Sequence, residues 1–238
     1  IIFIIFVIEF LLIYTNKVFK KKIFNKLTYK YSAHAYGGLM GYFMRKCHQD
    51  LENYDFSDEV ENILEIGAGS APHYKYIRHK YKKYYIIEIT KIKKSYYKDN
   101  PKVIAKNYDG KKIPFKNNFF DRIIISHCLE HINQPEDFLL EIMSKLKKKG
   151  ILSISLPTDP GLLFRIGRLY LKIFSIKKKY GITPKQFDYM NATEHVNSIF
   201  GLYAIIKFNF KKLIKESYLP LRLKSFDLNL FYNVHIKK

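Results

Sequence analysis

A chain of 238 residues with 47% hydrophobic and 16% aromatic residues is long enough to bury one core, and this composition excludes a disordered polar chain. The formal net charge of +21 at pH 7 suggests a polyanionic partner, such as nucleic acid or an acidic membrane surface. Because the lysines are scattered, a lysine-rich composition without a specific partner is the favoured interpretation. Only two cysteines are present, without CxxC spacing, which predicts neither a disulfide scaffold nor a structural zinc site and favours an intracellular, reducing compartment.

Residues 1–56 are predicted to form a hydrophobic and basic helical lead-in, followed by one domain over 57–238. The apolar run that ends at Ile13 is shorter than the ~20 residues of a bilayer span, and a lysine cluster follows at 17–22. Two interpretations stay open. The segment is either the remnant of a membrane helix or an interfacial anchor, giving a cytoplasmic protein peripheral membrane contact, or it is a hydrophobic helix packed on the domain.

From residue 60 the sequence alternates between strand and helix patterns, which is typical of a parallel α/β sheet. Strands are predicted over 63–66, 84–89, 103–107, 121–126 and 151–156. Helices are predicted from the first strand to about 79, over 91–98, and over 136–148 with Lys149-Gly150 as its end. The core covers 60–157, residues 158–205 form an insertion or cap, and residues 206–238 form C-terminal edge strands, plausibly a hairpin over 221–236.

The first predicted strand runs directly into the turn Gly67-Ala68-Gly69. Glycines permit a sharp bend and close approach of a ligand, and ligands of open parallel sheets bind beyond the carboxyl ends of the strands. Glu88 lies about 20 residues further on, where a carboxylate can accept hydrogen bonds from both ribose hydroxyls. The alternative is an ordinary strand-end carboxylate, which the glycine turn upstream disfavours.

Four segments, in order, resemble class I S-adenosylmethionine-dependent methyltransferases of the broad small-molecule type. They are LEIGAG at 64–69, YIIEI at 85–89, DGKKIPF at 109–115 and FDRIIISHCLEHI at 120–132. Where that family often has a third glycine this chain has Ala71, which still allows tight packing. The resemblance implies S-adenosyl-L-methionine as cofactor. It also implies a Rossmann-like, doubly wound, mostly parallel sheet of about seven strands, with an antiparallel edge strand and a helical insertion before the last strands.

The resemblance further implies ten cofactor-binding residues, which are Glu65, Gly67, Ala68, Gly69, Glu88, Ile89, Asp109, Gly110, Ser126 and His127. The first glutamate would act near the methionine amino group of the cofactor, directly or through water, and the glycines would let the backbone lie against the cofactor. The second glutamate would hold the ribose, and the aspartate would receive the adenine amino group. The last two residues would line the floor between methyl donor and acceptor.

The segment from His127 to His131 also fits H-x-x-E-H, a zinc-peptidase motif in which Glu130 would be the base. This motif follows a hydrophobic strand instead of lying inside a long helix, and it falls where the methyltransferase pattern expects Leu-Glu-His. We therefore predict no metal.

Transfer to a hydroxyl usually needs a base of near-neutral pKa, which histidine supplies. The candidates are His131, for which capping or packing is the favoured role, and His195 in the insertion, adjacent to Glu194. An adjacent Glu–His pair suggests a base with a tuning partner, but neighbouring side chains point differently, so the two need not touch.

The segments 156–161, 194–197 and 227–231 are similar to methyltransferases of bacterial surface-glycan and other cell-envelope clusters. This implies O-methylation of a sugar, a lipid-linked glycan or another small cell-envelope metabolite. Nucleic-acid methylation is disfavoured because no Asn/Asp-Pro-Pro-Tyr sequence follows the fourth strand and no Pro-Cys pair is present. A catalytically inactive binding protein is disfavoured by the intact glycine turn and acidic residues.

Overall fold

The computed structural model describes residues 37–56, 60–69, 73–90, 92, 97, 100–174 and 181–238. The predictions for residues 1–36 and for most of the helix at 91–98 lie outside these residues.

Seven strands form a single sheet: β1 (Val60–Ile66), β2 (Tyr81–Glu88), β3 (Val103–Asn107), β4 (Phe120–Ser126), β5 (Leu146–Pro157), β6 (Leu213–Leu219) and β7 (Phe231–Lys237). Their order across the sheet is β3-β2-β1-β4-β5-β7-β6. Strands β1 to β5 run parallel, and β7 is antiparallel to both β5 and β6. The predicted fold class is thereby confirmed. The strand order reverses between β1 and β4, where a ligand crevice opens in such sheets.

Five helices accompany the sheet in the described part of the chain: α1 (Gly38–Leu51), α2 (Pro135–Lys145), α3 (Leu162–Phe174), α4 (Pro184–Glu194) and α5 (Ile199–Asn209). Single 3-10 turns occupy His73–Tyr76 and Leu129–His131. Within the same residues, no helix is both long and apolar enough to cross a membrane.

The isoleucine-rich strands are buried because both faces of the sheet are covered. On β4, Ile123 and Ile125 belong to the larger core cluster, to which α2 contributes Leu139. Ile124, between them, belongs to a smaller cluster with Leu51 of α1. Since alternate residues of a strand point to opposite faces, a continuous apolar run suits a parallel strand covered on both sides.

Buried polar side chains join α1 and the residue after it to the sheet. Arg122 of β4 is fully buried, and its Nη1 lies 2.7 Å from Glu52 Oε1. Arg122 Nε also donates to Ser153 Oγ on β5 at 3.0 Å. Cys47 of α1 contacts the same strand, with Sγ 2.8 Å from Ser155 Oγ. Helix α1 therefore packs on the same sheet as the rest of the chain, and the division between lead-in and domain stays a prediction.

The predicted end of the helix at 136–148 is wrong. Helix α2 ends at Lys145, and Leu146 is fully buried and pairs with Phe120 of β4. This pairing starts β5 five residues earlier than predicted. Lys149 and Gly150 consequently lie inside a strand instead of ending a helix.

Two other predicted elements differ in the structure. Residues 73–79 contain a 3-10 turn instead of a helix, and the buried His73 there donates its N–H to Glu65 Oε1 at 2.8 Å. The stretch 221–230 contains no strand, and the C-terminal hairpin is formed by β6 and β7. The first strand of that hairpin therefore lies earlier in the chain than predicted.

Candidate active site

The glycine turn after β1 adopts a backbone conformation that favours glycine. Gly67 has a φ of +72° and Gly69 a φ of +53°, both in the left-handed region. A Cβ added at Gly67 would lie 2.5 Å from Cys128 Sγ. Ala68, between the glycines, packs against the smaller core cluster. The left-handed backbone of the two glycines and the close approach of Gly67 to Cys128 hold the turn against the segment that follows β4.

Glu88 ends β2 and is only 8% exposed. Its Oε2 accepts the Gly69 N–H at 3.0 Å, and its Oε1 accepts the Thr90 N–H at 3.1 Å. Each carboxylate oxygen can accept more than one hydrogen bond. Glu88 is therefore held rigidly by the backbone and keeps the capacity to accept hydroxyl donors.

A cavity of about 780 Å³ lies beyond the carboxyl ends of β1, β2 and β4. The predicted site residues that line it are Gly67, Glu88, Ile89, Gly110, His127 and His131. The structure thus brings together residues from four separate segments of the chain, at the place where ligands bind in sheets of this topology.

One wall of the cavity is formed by Gly110 and Ile89. Gly110 has a φ of +77°, and a Cβ added there would lie 3.3 Å from Ile89 Cγ2. Asp109 is exposed, and its Oδ1 accepts the Lys111 N–H at 3.0 Å. Asp109 borders the cavity through its neighbour Gly110, and its contact with an adenine amino group stays a prediction.

Glu65 lies beside the cavity, buried under the glycine turn. Its carboxylate accepts hydrogen bonds from the His73 N–H at 2.8 Å and from the Tyr84 hydroxyl at 2.9 Å. Burial raises the pKa of Glu65 to about 7, although both hydrogen bonds act in the opposite direction. Glu65 is not among the cavity-lining residues, so its predicted role near the methionine amino group stays a prediction.

His131 lines the cavity and contacts a second histidine, His195, which is not among the lining residues. The rings of His131 and His195 are 5.1 Å apart, centroid to centroid, in an edge-to-face arrangement. His131 Nδ1 lies 2.6 Å from the Glu194 carbonyl oxygen, so this nitrogen carries the proton that it donates. The insertion therefore reaches the segment after β4 through the end of α4.

The acidic partner of His195 is Asp159, with Oδ2 2.8 Å from His195 Nδ1. Arg168 of α3 donates two hydrogen bonds to the same carboxylate, at 2.9 and 2.5 Å. Burial alone would raise the pKa of Asp159, but the hydrogen bond from His195 and the charge of Arg168 hold it below the usual value. Because Asp159 is ionised, it holds the proton of His195 on Nδ1 and leaves Nε2 as the accepting nitrogen.

Solved structures of low sequence identity share this fold. The N-methyltransferase NodS from Bradyrhizobium japonicum WM9, solved in complex with S-adenosyl-L-homocysteine, is 14% identical over 82% of this chain and 87% of its own, with a TM-score of 0.58. A possible histamine N-methyltransferase from Thermotoga maritima is 16% identical over 91% of this chain and 99% of its own, also at 0.58. The [4+2]-cyclase SpnF, at 11% identity, 81% and 80% coverage and 0.56, illustrates that the fold alone does not fix the reaction.

A comparison of the sequence itself identifies the type of domain. Residues 64–154 match the family model of the methyltransferase domain. This part of the chain is a methyltransferase domain, and the chain has the fold of S-adenosylmethionine-dependent methyltransferases. No curated protein sequence matches it.

The floor of the methyltransferase cavity fits the cofactor. His127 lines the cavity, and Ser126 directly precedes it. Ser126 Oγ and His127 Nε2 are buried without a hydrogen-bond partner among the residues described, and a bound polar ligand would supply one. His127 has a φ of +51°, and burial lowers its pKa to about 3, so it is neutral. Strained backbone of this kind is frequent at ligand sites. The assignment of these two residues to the cofactor stays a prediction.

The methyltransferase also groups three possible metal ligands. Among the residues described, Glu130, His131 and His195 each offer a ligand atom within 4.8 Å of the others. The two histidines of the zinc-peptidase motif are His127 and His131. Because His127 is not part of this group, the group does not correspond to that motif. Burial raises the pKa of Glu130, which favours a neutral carboxyl group and weakens it as a cation ligand.

Asp159 and Arg168 are the functional candidates that sequence reasoning missed. Asp159 lies in the segment 156–161, which the sequence marked as similar to cell-envelope enzymes without assigning it a role. Arg168 carries no local signal, because it is one of several basic residues on an apolar helix. Both are recognised only when the structure brings them beside His195.

Proposed function

We propose that this methyltransferase O-methylates a sugar, a lipid-linked glycan or another small cell-envelope metabolite, with His195 as general base. The observation that supports this proposal is the hydrogen bond between Asp159 and His195 Nδ1, at 2.8 Å, since the His195 ring contacts His131, which lines the cavity. A hydroxyl acceptor must lose a proton during methyl transfer, and a histidine held by a carboxylate is suited to accept it.

Bound S-adenosyl-L-methionine supplies a methyl group activated by a positive sulfonium, so the protein mainly contributes alignment and electrostatics. Glu88 would hold the ribose, because its carboxylate oxygens can accept further hydrogen bonds beside those from the Gly69 and Thr90 N–H groups. The glycine turn would lie against the cofactor, Asp109 and Gly110 would hold its adenine, and Glu65 would act near its methionine amino group, directly or through water.

On the acceptor side, His195 Nε2 would accept the hydroxyl proton while the acceptor oxygen forms its bond to the methyl carbon. The bond between that carbon and the sulfonium sulfur would break at the same time, and its electron pair would leave the sulfur as a neutral thioether. The imidazolium that results is stabilised by the ionised Asp159, which in turn is held by Arg168. His131 positions the acceptor in this proposal, which is supported by the hydrogen bond that fixes its Nδ1 to the Glu194 carbonyl group. In this proposal, Glu88 and the glycine turn bind the nucleoside, and His131 and His195 act on the acceptor.

The test is methyl transfer from labelled cofactor into fractions of a cell extract, separated into glycan, lipid and RNA. We expect label in glycan or glycolipid, whereas label in RNA would favour the nucleic-acid alternative suggested by the net charge of +21. Cofactor binding without transfer to any fraction would favour an inactive binding protein.

With the acceptor fraction in hand, His195→Ala should reduce methyl transfer at least tenfold while calorimetric cofactor binding is unchanged. Thr193→Ala is the matched control, because the hydrogen bonds of the Thr193 hydroxyl within the described residues go to carbonyl groups of its own helix. Unchanged turnover of His195→Ala would remove this residue from the mechanism. The peripheral membrane contact predicted for the N-terminal segment belongs to the same proposal and is tested by deleting residues 1–36.

A further inference from the structure

Helix α3 exposes six of its nine large apolar side chains. None of its 13 residues is buried, although its sequence is LLFRIGRLYLKIF. The exposed apolar side chains are Leu162, Ile166, Leu169, Tyr170, Ile173 and Phe174, with exposed fractions between 46% and 64%. An isolated helix of this length is marginal in water, and packing of an apolar face normally stabilises it. We call these six side chains the α3 stripe.

The α3 stripe follows helical periodicity. Residues 162, 166, 169, 170 and 173 have the spacing i, i+4, i+7, i+8 and i+11, which places them on one side of a helix. The inner side of α3 is different, because Leu163 and Phe164 pack against the core cluster that contains Cys47 of α1. The helix therefore has two apolar sides, one that contacts the protein and one that contacts solvent.

Basic residues border the α3 stripe. Arg165, Arg168 and Lys172 have the spacing i, i+3 and i+7, on the flank of the stripe. Arg168 and Lys172 form ion pairs with Asp159 and Asp188. Three further lysines follow the helix in the sequence at 177–179, and the whole chain carries a net charge of +21.

We propose that the α3 stripe binds the surface of an anionic phospholipid membrane. A helix with an exposed apolar face, aromatic residues and a basic flank lies in the interface with its apolar side chains among the acyl chains. The positive charge of the protein complements anionic headgroups, each basic residue near the surface adding to the attraction. Neither a second copy of this positively charged chain nor a neutral surface offers this complementarity.

The position of α3 connects the membrane to the acceptor site. Arg168 reaches from the flank of α3 to Asp159, and Phe164 lies 6.3 Å from His195 between ring centroids. A lipid-linked acceptor would thus enter close to the base. In this respect the inference deepens the proposed function, and it rests on the lipid-linked acceptor class named there.

The chain contains no tryptophan, so one introduced residue reports on α3 alone. We expect the emission of Tyr170→Trp to shift to shorter wavelength with phosphatidylglycerol vesicles and to be quenched by brominated acyl chains. With phosphatidylcholine vesicles, the same change should require at least tenfold more lipid. Phe208→Trp is the control, because Phe208 is 84% exposed at the end of α5, outside the α3 stripe, and its emission should stay unchanged.

Adding Leu169→Glu and Ile173→Glu to Tyr170→Trp should abolish the response, which supports the proposal. An unaltered response in that triple variant would overturn it. Emission that is already at short wavelength without vesicles, and insensitive to them, would also overturn it, since residues 1–36 or a second copy would then cover the stripe. These readouts need neither cofactor nor acceptor, so they are independent of the His195 test.

Discussion

Glu52 and Arg122 form a buried ion pair whose titration should be visible in the pH dependence of stability. Arg122 Nη1 lies 2.7 Å from Glu52 Oε1, and neither side chain is exposed. His73 Nε2 lies 2.7 Å from the same oxygen. Burial alone would raise the pKa of Glu52, but the charge of Arg122 and the hydrogen bond from His73 lower it from 4.5 to about 2.

The sign of the effect follows from this lowering. Because the folded protein binds the Glu52 proton more weakly than the unfolded chain, the contribution of Glu52 to the free energy of unfolding is fully present above about pH 4.5. It is lost as the pH falls toward about 2. A pKa change from 4.5 to about 2 corresponds to about 3 kcal/mol, at about 1.4 kcal/mol for each pH unit.

The assay is urea denaturation of the wild type and Glu52→Gln between pH 7 and pH 3. At neutral pH we expect the variant to lose about 3–5 kcal/mol, since Arg122 is left buried without its partner. Other carboxylates titrate in both proteins, so the difference between the two proteins isolates Glu52. That difference should shrink below pH 4.5, and parallel curves for the two proteins would refute the reasoning.

A matched control is Glu61→Gln. Glu61 pairs with Lys82 and Lys147 at the surface, where solvent screens the interaction. We expect this variant to unfold at nearly the wild-type urea concentration at pH 7. A loss as large as that of Glu52→Gln would mean that burial is not the source of the effect.

Three further predictions concern the cofactor cavity. Gly67→Ala should lower the thermal unfolding temperature more than Gly69→Ala. Both substitutions add about 1–2 kcal/mol of left-handed backbone strain, but only Gly67→Ala drives a Cβ into Cys128. Equal losses in unfolding temperature would contradict this. Glu88→Ala should weaken calorimetric cofactor binding at least tenfold, while retained affinity would remove Glu88 from the ribose site. Chelators should leave methyl transfer unchanged, and stoichiometric zinc in the purified protein would show that the histidine cluster binds metal.

The part of the cavity lined by Gly67 and Glu88 could be predicted from the sequence because its signals are local. The turn at Gly67 directly follows its strand, and Glu88 ends the next strand, so strand pattern and spacing place both at one sheet edge. The helix end at 149–150 was predicted wrongly, because a Lys-Gly pair resembles a helix stop. Burial of Leu146 against β4 decides that boundary, and such a tertiary contact leaves no trace in the local pattern.

The cluster around His195 depends on contacts between distant parts of the chain. Asp159 follows β5, Arg168 lies on α3 and His195 follows α4, yet all three meet at one carboxylate. Sequence reasoning could consider only the adjacent Glu194 as a partner for His195. The Asp159 carboxylate also connects α3 to His195, since it accepts hydrogen bonds from His195 and from Arg168 of that helix. A displacement of α3 at a membrane surface would therefore change the position of Arg168, and through Asp159 the orientation of the His195 ring.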